Sequence, residues 1–296
     1  MMETQSKILA IVGPTASGKS DLAVRLAKKY NGEIISADSR QVYRGLNIGS
    51  GKITKKEMSG VTHHLLDVAN PKRQFSVALY KKLAEKAISE IVHRGKLPII
   101  CGGTGLYVDA LLLGLSFPEV PPNRKLRERL EEKSPAQLFV ILQKLDPRRA
   151  AEIEKSNPRR LIRAIEIVKA MGKVPERIIN KQSTKYNVVW IGLRPTEKTL
   201  KQNIHKRLLR RMKQGMVGEV QKLHRKGLSW KRTEEFGLEY RFLAQYLQKK
   251  ITRKEKLPYI QQESWHYAQK QWRWFKRNKE IQWFEKSNNK GILNSV

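Results

Sequence analysis

The stretch GPTASGKS (13–20) constrains this chain more than any other. It satisfies G-x-x-x-x-G-K-[ST], with Gly13, Gly18, Lys19 and Ser20 at the fixed places and Pro14, Thr15, Ala16 and Ser17 between them. Ahead of it, KILAIV (7–12) has the unbroken apolar character of a buried strand. Behind it, SDLAVRLAKKY (20–30) sets Leu22, Leu26 and Tyr30 on one side of a helix. A turn from a buried strand into a helix aims successive backbone N–H groups and a positive helix end at an anion, and the lysine adds a point charge. Residues 13–20 are therefore expected to hold a phosphate or diphosphate; the loop alone does not specify a nucleotide.

The rest of the first third continues the alternation. GEIISAD (32–38) and KLPIICGG (96–103) read as strands, and FSVALYKKLAEKAISEIVHRG (75–95) as a long amphipathic helix. Strands alternating with helices imply a parallel sheet covered on both faces. Past the proline-rich SFPEVPPN (116–123), only helical patterns occur from Arg124 to about Gly172; NVVWIGLRP (187–195) is a strand again, and the chain is helical from Thr196 onward. The fold class expected is α/β: a P-loop NTPase-like core with a parallel sheet flanked by helices. Residues 1–117 and 186–296 would form this discontinuous core, with a helical C-terminal region, and 118–185 an inserted helical domain.

Charge narrows the partners. The chain of 296 residues carries 60 Lys and Arg against 27 Asp and Glu, a net charge of +33. Residues 186–296 hold 26 basic and 9 acidic residues together with all six tryptophans. Such a field attracts polyanions, and basic residues interleaved with aromatics suit phosphate neutralisation with base stacking. The single cysteine, Cys101, excludes a disulfide framework and a cysteine-rich metal cluster and suits a reducing compartment. No secretory signal is visible. The most apolar stretch, GLYVDALLLGLSF (105–117), is too short to span a bilayer and contains Asp109, so a cytoplasmic protein without membrane association is expected.

Chemistry-bearing residues gather at strand ends. The strand LPIIC ends in GGTGLY, with Thr104 and no carboxylate, whereas P-loop NTPases place a magnesium-organising acid at the end of a second strand. EIISADSRQVY does end in a carboxylate, Asp38, followed by Ser39, Arg40 and Gln41; Asp38 is either catalytic or a cap on backbone N–H groups. His63 and His64 lack a third ligand at metal spacing, which favours structural or RNA-facing roles. In SWHYAQKQWRWFKR (264–277), Trp265, Ala268, Trp272 and Phe275 form one helical stripe, with Lys270, Arg273, Lys276 and Arg277 off it.

In order, GPTASGKS, ISADSRQVYRGLNIGSGK, HHLLDV, GGTGLYVDALL, RRLIRAIEIVKAMGK, GMVGEVQKL and HYAQKQWRWFKR resemble the tRNA dimethylallyltransferases, over residues 8 to 277 or so. The resemblance implies transfer of a dimethylallyl group from dimethylallyl diphosphate to N6 of adenine 37, beside the anticodon. It implies that residues 13–20 hold the leaving diphosphate through Lys19 and the N–H groups of 15–20, with Mg2+ near Ser20. Asp38 matches the family's base, Thr104 a residue contacting the same region, and Arg207 a diphosphate-facing arginine. Expected contacts to the anticodon stem-loop are Asp38, Ser39, Arg40, Gln41, Thr104, Arg127 and the segment Arg159, Arg160, Leu161, Ile162 and Arg163. A monomer is expected.

Departures from the family pattern occur at GSGK (49–52) for G-T-A-K, at Asn203 for an arginine, at EEFGLEY (234–240), and at SWHYAQKQ (264–271), which lacks two basic positions. The alternative with the same chemistry, an adenylate isopentenyltransferase acting on free AMP or ADP, has no need of a helical insert or a basic C-terminal third. A P-loop kinase would need the acidic strand end that is missing, and a non-catalytic RNA-binding protein would not need Lys19, Asp38 and Thr104 together.

Overall fold

The computed structural model describes residues 6–115, 117–175, 186–285 and 291–292. The chain divides into two compact units, Met1–Gly114 with Lys181–Val296, and Leu115–Asn180. In the first unit the order is β1 (Ser6–Val12), α1 (Lys19–Lys29), β2 (Gly32–Ser36), α2 (Lys55–Met58), β3 (His63–His64), α3 (Val77–His93), β4 (Leu97–Gly102) and α4 (Gly105–Leu112). The second unit supplies α5 (Arg124–Glu131), α6 (Pro135–Leu145), α7 (Pro147–Glu152) and α8 (Pro158–Met171). The first then resumes with β5 (Tyr186–Leu193), α9 (Glu197–Lys213), α10 (Met216–Arg225), α11 (Trp230–Glu235), α12 (Leu238–Leu247), α13 (Lys256–Phe275) and β6 (Gln282–Phe284).

The six strands form one parallel sheet in the order β3-β2-β4-β1-β5-β6. Its apolar strands are buried on both faces, as parallel sheets require. In β1, Ile8, Ala10 and Val12 join the core beneath α3 and α4, while Leu9 and Ile11 join the opposite core beneath α1. The α/β expectation with a parallel sheet flanked by helices is what the structure has. Strand β3, two residues long, and β6, three residues long, have too little length to show periodicity and were not read from sequence.

Strand order decides the site. Because β2, β4 and β1 are adjacent, the loops leaving their C-terminal ends lie side by side. Ala37 N–H donates to Cys101 O at 2.8 Å, and Thr104 N–H returns to Ala37 O at 3.1 Å, which ties the Asp38 loop to the GGTG loop. The histidine pair lies away from these loops: His64 Nε2 is 2.7 Å from Glu33 Oε2, and His63 Nδ1 is 2.9 Å from Val61 O. Among the described residues no group of three or more His, Cys, Asp and Glu could hold a metal ion.

The second unit packs around Leu126, Leu138, Leu142, Leu161, Ile162 and Ile165. Its helices begin at side-chain caps: Asn123 on Leu126 N–H, Ser134 on Gln137 N–H, Asp146 on Arg149 N–H, and Asn157 on Arg160 N–H, each followed closely by proline or a helix former.

Candidate active site

Two adjoining cavities, each about 440 Å³, open at the strand ends. Thr15, Asp38, Ser50, Gly103, Arg207, Arg211, Tyr267 and Gln271 line both. The first is walled by Lys19, Ser20, Asn203, Lys206 and Arg210 and is strongly cationic. The second has an aromatic wall of Phe236, Tyr240 and Trp274, with Ser39, Arg40 and Thr104 at its inner side.

On the cationic side, residues 13–20 form the expected strand-to-helix turn, with α1 beginning at Lys19. Lys19 Nζ folds back to Pro14 O at 2.5 Å. Burial, with a smaller contribution from Arg207, lowers its ammonium to about 8. Arg207 makes no hydrogen bond or ion pair among the described residues, and burial followed by the nearby Arg211 pushes its pKa down. Two half-buried cations without full compensation make a site that gains by accepting an anion.

Four loop residues depart from the expected geometry. Gly13, Pro14 and Ser17 line neither cavity, and the buried Ser17 hydroxyl has no hydrogen-bond partner among the described residues. The Thr15 N–H, expected to face the anion, donates instead to Gln271 Oε1 at 2.7 Å. Ala16 sits at φ 62°, a left-handed conformation costly for a residue with a Cβ, and Asn203 Nδ2 donates to its carbonyl at 3.2 Å. Asn203, the departure from the family's arginine, thus braces the loop as a neutral donor.

The Asp38 carboxylate caps backbone N–H groups, and the residue also faces the cavities. Its Oδ1 accepts from Arg40 N–H at 2.8 Å and Gln41 N–H at 3.2 Å, while the residue lines both cavities. Thr104 Oγ1 accepts from Ser39 N–H at 3.0 Å, holding the two loops together. Gln41 Nε2 donates to Gly51 O at 3.2 Å, so one of its amide protons is engaged within the protein. Gly51, at φ 60°, belongs to the GSGK departure; a Cβ there would fall 1.5 Å from Arg211 Nη2. Arg211 fills that space and pairs with Glu239 at 3.1 Å.

The arginines of RRLIR are divided by the structure. Glu166, whose side chain is 1% exposed, binds Arg127 through two hydrogen bonds of 2.9 and 2.8 Å and Arg163 at 2.6 Å. Arg127 and Arg163 are committed to this buried carboxylate, and Leu161 and Ile162 are core residues, so their side chains serve packing. Arg159 and Arg160 are exposed, Arg160 with an ion pair to Glu154 at 3.3 Å.

Gln271, Tyr267, Trp274 and Arg211 were missed by sequence reasoning. The one available signal was in α13: its buried residues are Lys256, Ile260, Ser264, Ala268, Gln271 and Phe275, with three polar residues where apolar ones are the rule. Lys270, Arg273, Lys276 and Arg277 lie on its exposed side, as their spacing predicted.

A family model described as IPP transferase matches residues 41–278. The tRNA dimethylallyltransferase of Anoxybacillus flavithermus is 40% identical over 282 residues, covering 94% of this chain and 90% of that protein. The protein of the same description from Bacillus subtilis is 38% identical, covering 96% and 92%. Among solved structures, the full-length tRNA isopentenylpyrophosphate transferase of Bacillus halodurans superposes with a TM-score of 0.74 at 36% identity, over 98% of this chain and 94% of that one. A eukaryotic dimethylallyltransferase acting on tRNA shares the fold, with a TM-score of 0.82 at 24% identity over 97% and 77%. This chain belongs to the IPP transferase family.

Proposed function

We propose that this chain transfers the dimethylallyl group of dimethylallyl diphosphate to N6 of adenine 37 in the tRNA anticodon loop and releases diphosphate. The observation that carries the reading is that Asp38 lines both the cationic and the aromatic cavity. The diphosphate binds among Lys19, Arg207 and the N–H groups of residues 16–20. The target adenine, turned out of its stack, enters between Phe236 and Trp274, where residues 38–41 read its edge.

Adenine N6 is a weak nucleophile because its lone pair is delocalised into the ring. As N6 attacks the allylic carbon, a new N–C bond forms and the C–O bond to the diphosphate breaks. The N6 proton passes to Asp38, whose Oδ2 accepts no hydrogen bond among the described residues. Charge growing on the departing diphosphate is met by Lys19, Arg207 and the loop N–H groups, already in position. No phosphoryl group moves, which accounts for the missing acidic strand end.

The donor set suits Mg2+ carried mainly by substrate oxygens and water: Ser20 is exposed at the mouth of the cationic cavity, and among the described residues no group of three His, Cys, Asp or Glu could hold the ion by itself. Ser20 would hold the ion, which supplies further neutralisation of the diphosphate. The exposed Arg159 and Arg160 of the inserted unit and the basic side of α13 contact tRNA phosphates. One chain supplies both cavities, so a monomer suffices. Among the described residues no helix is long and apolar enough to cross a membrane; a tRNA substrate and one reduced cysteine fit the cytoplasm.

The test is incubation of the full chain with radiolabelled dimethylallyl diphosphate and either total tRNA or AMP. Label in the tRNA fraction, recovered as an N6-modified adenosine after digestion, is the expected result. Label appearing on AMP alone would replace the reading with the adenylate isopentenyltransferase, and label on neither would overturn both.

A further inference from the structure

Gln271 belongs to the buried side of α13 and is 6% exposed. A buried amide is costly unless all its groups are bonded. Its oxygen accepts from Thr15 N–H at 2.7 Å, and its nitrogen donates to Gly103 O at 2.8 Å. One amide therefore joins the loop of residues 13–20 to the loop carrying Thr104, from a helix 168 residues beyond the nearer of them. The chain makes room for it: a Cβ on Gly103 would fall 2.1 Å from Gln271 Nε2, so only glycine admits the contact. The helix itself is anchored one turn further on, where Trp274 Nε1 donates to Asp109 Oδ2 at 2.9 Å.

We propose that Gln271 is a positioning residue that sets the spacing between the donor loop and the acceptor loop. The inference rests on the transferase reading above. The donor diphosphate is held by one loop, and the base beside Asp38 and Thr104 by the other. The amide spans the gap in a single rigid plane, so it governs the distance between the allylic carbon and N6 without touching either. Each loop keeps its own ligand contacts when the amide is lost, while the approach of the reacting atoms loosens.

The experiment uses the full chain, with transfer to tRNA by the unsubstituted protein as its baseline; absence of that transfer would sink the functional reading rather than the role of Gln271. Gln271→Met keeps length and packing and removes both hydrogen bonds. It is expected to lower kcat about 10–100-fold, the effect of a small misplacement of reactants. Donor KM and tRNA affinity should stay within about threefold, because the binding groups remain. Gln271→Glu keeps the acceptor for Thr15 N–H and regains a donor toward Gly103 O only when protonated. Its kcat relative to the unsubstituted protein should rise as pH falls, while the same ratio for Gln271→Met stays flat. The other ionisable groups lining the same cavity (Lys19, Asp21, Asp38, Glu57, Cys101, Lys206, Arg207, Arg210, Arg211 and Tyr267) are common to all three proteins, so the ratio removes their contribution. A kcat for Gln271→Met within about twofold of the unsubstituted protein, or a loss expressed in donor KM alone, would overturn the proposal. Where Gln271→Met does not fold, the Gln271→Glu ratio decides: a rise toward low pH supports the role and a flat ratio rejects it.

Discussion

In the proposed reaction, Asp38 divides its two oxygens between two tasks. Oδ1 holds the turn through Arg40 and Gln41 N–H, leaving Oδ2 for a proton. Asp38→Asn keeps an oxygen for the turn and loses the base, so the 38–41 loop should survive while transfer falls by roughly 10²–10⁴. Single-turnover transfer alongside tRNA binding checks this; near-normal turnover would remove Asp38 from the mechanism. Lys19 gives a pH signature. Its folded pKa of about 8 lies below the ordinary lysine value, so keeping it charged costs folding stability below pH 8. That cost disappears as pH rises from 8 toward 10.5, and a bound anion offsets it at lower pH. Since the charged form receives the diphosphate, kcat/KM for the donor should decline above about pH 8, and Lys19→Arg should carry the plateau to higher pH.

At the scale of elements, two buried carboxylates each organise a charge cluster. Glu33, on β2, meets His64 at 2.7 Å, Arg94 at 2.6 Å and Lys96 at 3.0 Å, joining edge strand β3 and the end of α3 to the sheet. Although burial opposes it, these hydrogen bonds hold its pKa down at about 2. Its contribution is complete above pH 4.5 and lost as pH falls toward 2, so the acid limb of stability should steepen there. Glu33→Gln should cost about 2 kcal/mol at neutral pH, because the cations left behind are only partly exposed. It should also flatten that limb, as read by denaturant unfolding across pH, with transfer kinetics unchanged. Glu166 plays the same part in the inserted unit, which is why Arg163 is a poor probe of RNA contact: its loss strips a partner from a buried charge.

For the whole molecule, +33 makes an ionic-strength prediction. tRNA association should weaken linearly in log–log against salt. Arg159→Ala combined with Arg160→Ala should flatten the slope by about one unit per lost phosphate contact, without changing transfer at saturating tRNA. An affinity that hardly varies with salt would contradict the electrostatic account. An unchanged slope in the double variant would shift the contacts to α13, where Lys270, Arg273 and Lys276 are exposed.

Local pattern was enough for the strand-to-helix turn of residues 13–20, the main strands, the helices between them and the placing of Asp38, because these depend on neighbours in sequence: a glycine turn, alternating burial, a carboxylate at a strand end. Tertiary structure alone decided the rest. Whether Arg163 faces RNA or Glu166, whether Thr15 N–H faces an anion or Gln271, and what fills the space at Gly51 all turn on contacts between distant residues. A guanidinium or an amide carries no sequence mark of its partner. The cost of burying it unpaired is settled only when the elements pack, and that packing tied Arg127 and Arg163 to a buried carboxylate and made an unremarked glutamine a bridge across the site.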